Sequence, residues 1–183
     1  MSEGRVVRAS KFLSYVLRHR PDTIGLALDA EGWASVDELL ARSQATRTPL
    51  TRELLDEVVR TNDKQRFRFS DDGARIRASQ GHSVAVDLAL APQEPPERLF
   101  HGTAARFVAS IRDVGLQPGS RRHVHLSVDE VTARAVGGRH GAPVVLVVRA
   151  AALHRAGHVF YRSDNGVWLV AAVPADFVEF PPG

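Results

Sequence analysis

A change of pattern at Ala91-Pro92-Gln93-Glu94-Pro95-Pro96-Glu97 constrains the fold of this chain most, because helical periodicity precedes it and strand alternation dominates after it. Its three prolines cannot continue a helix or the interior of a sheet, and together with two glutamates they are typical of a linker. The sequence therefore predicts two domains, residues 1–90 and 98–183, joined by a linker at 91–97.

The first half predicts three helices followed by a hairpin, which is the element order of a winged helix. Ser10 is the expected N-cap of the first helix, which Pro21 ends. Ser35 and Glu38 have the spacing of a capping box at the start of the second. The predicted elements are helices from Ser10 to Arg18, Ser35 to Ala41 and Thr51 to Thr61, then strands Arg66 to Ser70 and Arg75 to Ala78 around the turn Asp71-Asp72-Gly73.

The second half alternates strand patterns with helical ones and predicts a mixed β-sheet domain, which makes the whole chain α+β. Asn165-Gly166 is a typical tight hairpin turn between its last two strands. The predicted strands are Arg98 to His101, His123 to Ser127, Val144 to Arg149, Val159 to Arg162 and Val167 to Val173, with helices near Ala104 to Val114 and Val128 to Gly137.

Composition narrows the class of protein. The 183 residues are 44% hydrophobic, enough to build a core, and no run approaches the length that spans a bilayer. Residues 1–5 lack the apolar stretch of a signal peptide, so we expect a cytoplasmic protein. Because the chain has no cysteine, disulfides, thiol nucleophiles and thiolate metal sites are excluded.

Net charge by itself indicates little, since it is only +3 at neutral pH. Only Lys11 and Lys64 are lysines, so 22 of the 24 basic residues are arginines, which reflects either coding bias or a need for bidentate phosphate binding. The absence of a Gly-x-Gly-x-x-Gly, a Walker A or a Gly-x-Ser-x-Gly motif argues against dehydrogenases, P-loop NTPases and serine hydrolases.

Candidate anion-binding residues occur in both halves. Arg18 and His19 end the first helix, where cations either complement the helix dipole or form an anion site. Arg66 lies on the hairpin, where an arginine is either solvated or functional. Because a phosphate dianion needs arginines from different segments, Arg18, Arg66 and Arg121 are the candidates for a clamp.

Histidines mark a second candidate site. His123 and His125 share one face of a strand, so they either bind a metal together with His101 or form hydrogen bonds to a ligand. Gly102, which follows His101, would let the backbone approach a ligand closely. The remaining histidines are expected on the surface or in loops: His82, His140, His154 and His158.

Seven short motifs follow one another along nearly the whole chain, and in this order they are specific although each is weak alone. They are Ser10-Lys11-Phe12-Leu13-Ser14-Tyr15-Val16-Leu17-Arg18-His19 with Pro21, Gly32-Trp33, Asp63-Lys64-Gln65-Arg66-Phe67, Gln80-Gly81-His82-Ser83, Leu99-Phe100-His101-Gly102-Thr103, Arg121 with His123-Val124-His125-Leu126-Ser127, and Ser163-Asp164-Asn165-Gly166-Val167-Trp168-Leu169. Together they resemble the RNA 2′-phosphotransferase family, NAD-dependent enzymes that remove the splice-junction 2′-phosphate from tRNA.

The resemblance implies a winged-helix lobe followed by an ADP-ribosyltransferase-like lobe, NAD as co-substrate, no metal, a 2′-phosphorylated RNA partner and a monomer. Its Arg-His-Arg-Arg catalytic quartet falls on Arg18, His19, Arg66 and Arg121, with Arg122 as the alternative for the fourth position. The residues implied to bind NAD are His101, Gly102, Thr103, Ser127, Gly137, Arg139, Asn165, His123 and His125.

Two other functions stay open at this point. The first is ADP-ribosylation of a terminal nucleic-acid phosphate. The second is a non-enzymatic winged-helix regulator that binds DNA, although its recognition helix, residues 52–60, would carry three acids against two arginines.

Overall fold

The described part of the chain, residues 2–182 of a computed structural model, divides between Ala89 and Leu90 into two units. Both combine helices with small antiparallel sheets, which confirms the α+β fold class. The proline-rich segment belongs to the second unit: Pro92 forms a β-bridge with Tyr161, and the Gln93 N–H donates to the Phe160 carbonyl.

The first unit packs three helices against one three-stranded sheet. Its elements are α1 (Glu3–Arg18), β1 (Ala34–Ser35), α2 (Val36–Ser43), α3 (Arg52–Thr61), β2 (Phe67–Phe69) and β3 (Arg75–Ala78), with a 3-10 turn at Pro21–Ile24. The sheet order is β1-β3-β2, and Phe67 pairs with Ala78 across the predicted hairpin. Its core contains Leu13 and Leu17 from α1, Leu39 from α2 and Leu55 from α3, all fully buried.

Helix starts follow the predicted caps in α2 but not in α1. The Ser35 hydroxyl accepts the Glu38 N–H at 3.3 Å, as the capping box predicts, and Thr51 caps α3 in the same way. The prediction that Ser10 begins α1 is wrong, because the helix starts at Glu3 and Ser10 lies in its middle. Val6 and Ala9 continue the apolar stripe backwards onto the core, which makes the longer helix favourable.

The second unit contains two three-stranded antiparallel sheets, ordered β4-β6-β9 and β5-β8-β7. A pair of 2.8 Å backbone hydrogen bonds between Phe100 and Ser127 bridges them. The sequence prediction missed the short α6 and β9. The elements are β4 (Leu99–Ala104), α4 (Val108–Val114), β5 (Val124–Leu126), α5 (Glu130–Gly137), β6 (Pro143–Val148), α6 (Ala150–Arg155), β7 (Phe160–Arg162), β8 (Trp168–Val170) and β9 (Val178–Glu179).

Strand alternation in this unit follows the sequence pattern. Val124 and Leu126 are buried in the core, whereas His125 between them points to the other face and is half-buried. β7 and β8 pair through the predicted hairpin, and Gly166 in its turn has a φ of +81°, which favours glycine. The histidine face of β5 therefore lies opposite the face that packs into the core.

Candidate active site

The C-terminal end of α1 carries Arg18 and His19. Arg18 is the last residue of the helix and is buried, 9% exposed. Its backbone carbonyl accepts the N–H groups of Ser83 and Val84, so the loop that follows β3 closes over the helix end. His19 Nδ1 lies 2.9 Å from the Ser83 hydroxyl, which fixes the imidazole on this loop.

The surroundings of Arg18 concentrate positive charge. Its guanidinium lies 5.9 Å from the centre of the Phe67 ring, and a Cβ on Gly81 would come within 3.7 Å of it. His82 is 5% exposed, and burial, followed by the charges of Arg18, Arg77 and His19, lowers its pKa to about 4. A neutral imidazole beside these cations leaves the region positive, which suits an anion.

Arg66 immediately precedes β2 and is half-buried. Its Nη1 donates to the Asn62 side-chain oxygen at 3.4 Å, and its backbone carbonyl accepts the Ser79 N–H. Arg68, two residues on, lies over the Trp33 ring at 5.6 Å. Arg66 before β2 and Arg68 within it therefore have different surroundings although only two residues separate them.

In the second unit, hydrogen bonds connect three of the predicted residues. Arg121 Nη1 lies 2.7 Å from His125 Nδ1, and because a guanidinium only donates, this nitrogen accepts. His101 Nδ1 donates to the His125 backbone carbonyl at 3.1 Å. Neutral His101 therefore carries its proton on Nδ1 and a lone pair on Nε2, and neutral His125 has the opposite tautomer.

Both Arg121 and His101 have lowered pKa values. Burial lowers the pKa of His101, and its hydrogen bond to His125 opposes this only in part, so His101 is neutral at neutral pH. Although much of Arg121 is exposed, loss of water around its guanidinium and the charge of Arg139 lower its pKa. Because the positive charges of Arg121 and Arg139 act on each other, an anion bound near both guanidinium groups would be stabilised by both.

Gly102 and Gly137 bring β4 and α5 into backbone contact. A Cβ on Gly102 would lie 1.6 Å from the Ala133 carbonyl oxygen, and one on Gly137 would lie 2.7 Å from that of Thr103. The space of the missing side chains is thus filled by backbone of the neighbouring element. The absence of a side chain at Gly102 lets α5 pack against β4. The sequence analysis had explained the same glycine by close approach of a ligand.

The other predicted residues occupy further parts of the second unit. His123 contacts the Tyr161 ring edge to face at 5.7 Å, and the Asn165 side-chain oxygen accepts a hydrogen bond from Ser163 in the β7–β8 turn. Arg139 lies in the 3-10 turn Gly138–His140. Arg18, His19 and Arg66 thus belong to the first unit, and Arg121 with all the predicted NAD-binding residues to the second.

Two residues of this region have contacts that the sequence analysis did not predict. His82 was expected on the surface or in a loop; it lies in the loop after β3, but its side chain is buried. Asn62, which holds Arg66, was not singled out, and its position at the end of α3 before Asp63 was the only signal. Across residues 2–182 no three His, Asp or Glu side chains are grouped as metal ligands, and no helix is long and apolar enough to cross a membrane.

Comparison with known proteins identifies the family. The sequence model of the family described as "RNA 2'-phosphotransferase, Tpt1 / KptA family" matches residues 4–172. The chain belongs to the RNA 2′-phosphotransferase family. The match includes both units, and so every residue predicted for the site.

Curated relatives in this family are similar over nearly their whole length. Proteins named "Probable RNA 2'-phosphotransferase" share 52% identity in Nostoc punctiforme, over 98% of this chain and 99% of the relative, and 54% in Rhodopirellula baltica, over 98% of both. The one from Agrobacterium fabrum is 58% identical over 92% of this chain and 91% of its own. These RNA 2′-phosphotransferases therefore match the chain as a whole.

Proposed function

We propose that this protein transfers an internal RNA 2′-phosphate to NAD in two steps. In the first, an oxygen of the 2′-phosphate attacks C1″ of the NAD ribose, and the bond to nicotinamide breaks. In the second, the ribose O2″ attacks the phosphorus and the bond to the RNA 2′-oxygen breaks. The products are RNA with a 2′-hydroxyl, nicotinamide and ADP-ribose 1″,2″-cyclic phosphate.

Family membership is the observation that carries this proposal. The geometry supports it in the first unit, where Arg18 and His19 share a positively charged helix end and Arg66 is held by Asn62. Guanidinium groups bind phosphate oxygens in pairs and stabilise the charge of phosphoryl transfer, so they perform the work of a metal ion. His19 is the candidate for proton transfer or phosphate binding.

The second unit offers groups that suit NAD as a substrate. His101 presents a lone pair on Nε2 at neutral pH, Arg139 supplies positive charge for the NAD pyrophosphate, and Arg121, the fourth member of the quartet, supplies it for the transferred phosphate. The turn at Asn165-Gly166-Val167-Trp168 contains no acid where many ADP-ribosyltransferases carry a catalytic glutamate. The RNA phosphate is then itself the nucleophile, and no enzyme carboxylate is needed for that step.

The proposal also includes the fold type of each unit, the oligomeric state, the cellular compartment and the RNA substrate. Three helices with the β2–β3 hairpin favour a winged-helix lobe, and the bridged sheets of the second unit favour an ADP-ribosyltransferase-like lobe. We propose that the enzyme is a cytoplasmic monomer and that its substrate is a tRNA-like RNA.

A DNA-binding regulator is disfavoured because Arg52 and Arg60 of α3 are paired with Asp56 and Glu57 on the same helix.

The test is incubation of the protein with NAD and an oligoribonucleotide that bears one internal 2′-phosphate. We expect nicotinamide, dephosphorylated RNA and ADP-ribose 1″,2″-cyclic phosphate, identified by mass spectrometry. The control oligonucleotide carries only a 5′-terminal phosphate. If ADP-ribose is attached to that terminal phosphate while the 2′-phosphate persists, the acceptor class is the terminal one and the proposal fails.

The Arg66→Ala variant separates the two steps. With less charge stabilisation at phosphorus, we expect the second step to slow by roughly 100-fold or more. RNA joined through its 2′-phosphate to ADP-ribose should then accumulate and be visible by gel shift and mass. Normal turnover by this variant would remove Arg66 from the site.

A further inference from the structure

A groove in the first unit lies between α1 and the segment that leaves α3, and we name it the α1–α3 groove. Its volume is about 500 Å³, within the range of roughly 300 to 1,000 Å³ that small-molecule sites occupy. Val7, Ser10, Lys11 and Ser14 line it from α1, at the spacing of one helix face. Arg18 lies one turn beyond Ser14, so this face leads toward the candidate phosphate site.

Both lysines of the chain line the α1–α3 groove. The chain has 24 lysines and arginines, of which only Lys11 and Lys64 are lysines, and the two come from different segments. Arg66 lines the groove as a third cation, against one acid, Asp63. A net positive, solvent-accessible groove matches a phosphodiester backbone, and lysine is a flexible point charge that suits variable phosphate geometry.

The floor of the groove is apolar. Val6 and Val58 pack into the unit beneath it, and Val7 is 47% exposed at its edge. An apolar floor with cations and hydroxyls at the rim is the surface that a nucleoside and its phosphate require together. Ser10 and Ser14 supply the hydroxyls.

Asn62 holds this wall of the groove in place. Its side-chain oxygen accepts the Lys64 N–H at 3.2 Å and Arg66 Nη1 at 3.4 Å, and its amide donates to the Ser10 hydroxyl at 3.5 Å. One side chain thus joins the lysine, the candidate catalytic arginine and α1. These hydrogen bonds fix the positions of Lys64 and Arg66 relative to α1, and through Arg66 the groove adjoins the candidate phosphate site.

From these observations we infer that the α1–α3 groove binds the nucleotide that flanks the 2′-phosphorylated residue of a single-stranded RNA, with its phosphodiester against Lys11 and Lys64. The inference rests on the proposed function, because Arg66 belongs to both sites. It predicts that the enzyme recognises RNA beyond the reacting phosphate, through the backbone and without reading base identity.

Substrate length provides the kinetic test. A nucleoside 2′-phosphate, which has no flanking nucleotide, and a hexanucleotide with one internal 2′-phosphate are compared by kcat/KM, and we expect the wild-type protein to prefer the hexanucleotide. In Lys11→Ala/Lys64→Ala this preference should fall by about tenfold, since hydrogen bonds to charged groups are lost. Lys11→Arg should retain it. Arg8→Ala removes an exposed cation of α1 outside the groove and is the matched control.

Equilibrium binding provides a test that does not depend on turnover. The slope of log Kd against log salt for the hexanucleotide should decrease by about 0.7 per lysine removed, and Arg8→Ala should leave it unchanged. A double variant with wild-type length preference and salt slope would overturn the inference. A wild-type protein that makes no product, yet shows the lysine-dependent slope, would overturn the proposed function and reduce the groove to a site for the RNA backbone alone.

Discussion

At the scale of single residues, His82 shows how tertiary structure changes the chemistry of a side chain. The sequence predicts a surface or loop position for this histidine, and it lies in the loop after β3. Hydrogen bonds from Ser83 and Val84 to the Arg18 carbonyl draw this loop onto α1. His82 then lies buried near Arg18 and Arg77, and its Nε2 has no hydrogen-bond partner in the described chain.

This burial makes stability depend on pH. The pKa of His82 is about 4 when folded and 6.5 in its ordinary state. Between these two pH values only the unfolded chain takes up the proton. The contribution of neutral His82 to the free energy of unfolding is therefore complete above pH 6.5 and declines as the pH falls toward 4. The total loss from this group is about 3 kcal/mol. We expect the free energy of unfolding of His82→Gln, measured with urea, to decline less steeply over this range than that of the wild type. His140→Gln, at an exposed position, should behave as wild type.

At the scale of elements, the contact of α5 with β4 positions much of the predicted NAD-binding set. Gly102 and Gly137 permit this contact, because backbone atoms fill the space that a Cβ would need. Sequence patterns predicted both elements, with bounds within a few residues, but the partner of each glycine lies more than 30 residues away. Only the packed structure shows that they belong to the same contact.

Two adjacent glycines test this contact. In Gly137→Ala the new Cβ would meet Thr103 backbone atoms at 2.7 and 2.8 Å, so the helix must shift, and we expect the free energy of unfolding to fall by about 1 to 3 kcal/mol. In Gly138→Ala the Cβ meets nothing within 4 Å at a helical φ of −61°, so stability should be unchanged or slightly higher. Thermal or urea unfolding measures both variants, and equal stabilities would contradict the close approach.

At the scale of the whole molecule, each unit has its own hydrophobic core, one around α1 and the other around β4 and β6. The candidate catalytic residues are divided between them, with Arg18 in the first unit and Arg121 in the second. The proposed activity therefore requires both units, and the proposed monomer carries both in the same chain.

Mixing two inactive variants tests this requirement. Arg18→Ala and Arg121→Ala should each lower kcat by roughly 100- to 1,000-fold, since each removes charge stabilisation from the transition state. An equimolar mixture should show only the sum of their residual rates in the assay with 2′-phosphorylated RNA and NAD. Recovery of activity in the mixture would show that one site is assembled from two chains, as in a domain-swapped dimer.

The sequence by itself determined the family, the α+β class, most helices and strands, and the alternation that buries Val124 while His125 faces outward, because these depend on local periodicity and on motif order. Tertiary structure decided which distant groups meet. The burial of His82, the hydrogen bond of Asn62 to Ser10, the packing of α5 on β4 and the groove that gathers both lysines all depend on contacts between remote segments. Such contacts follow from how whole faces pack, and no local pattern encodes them.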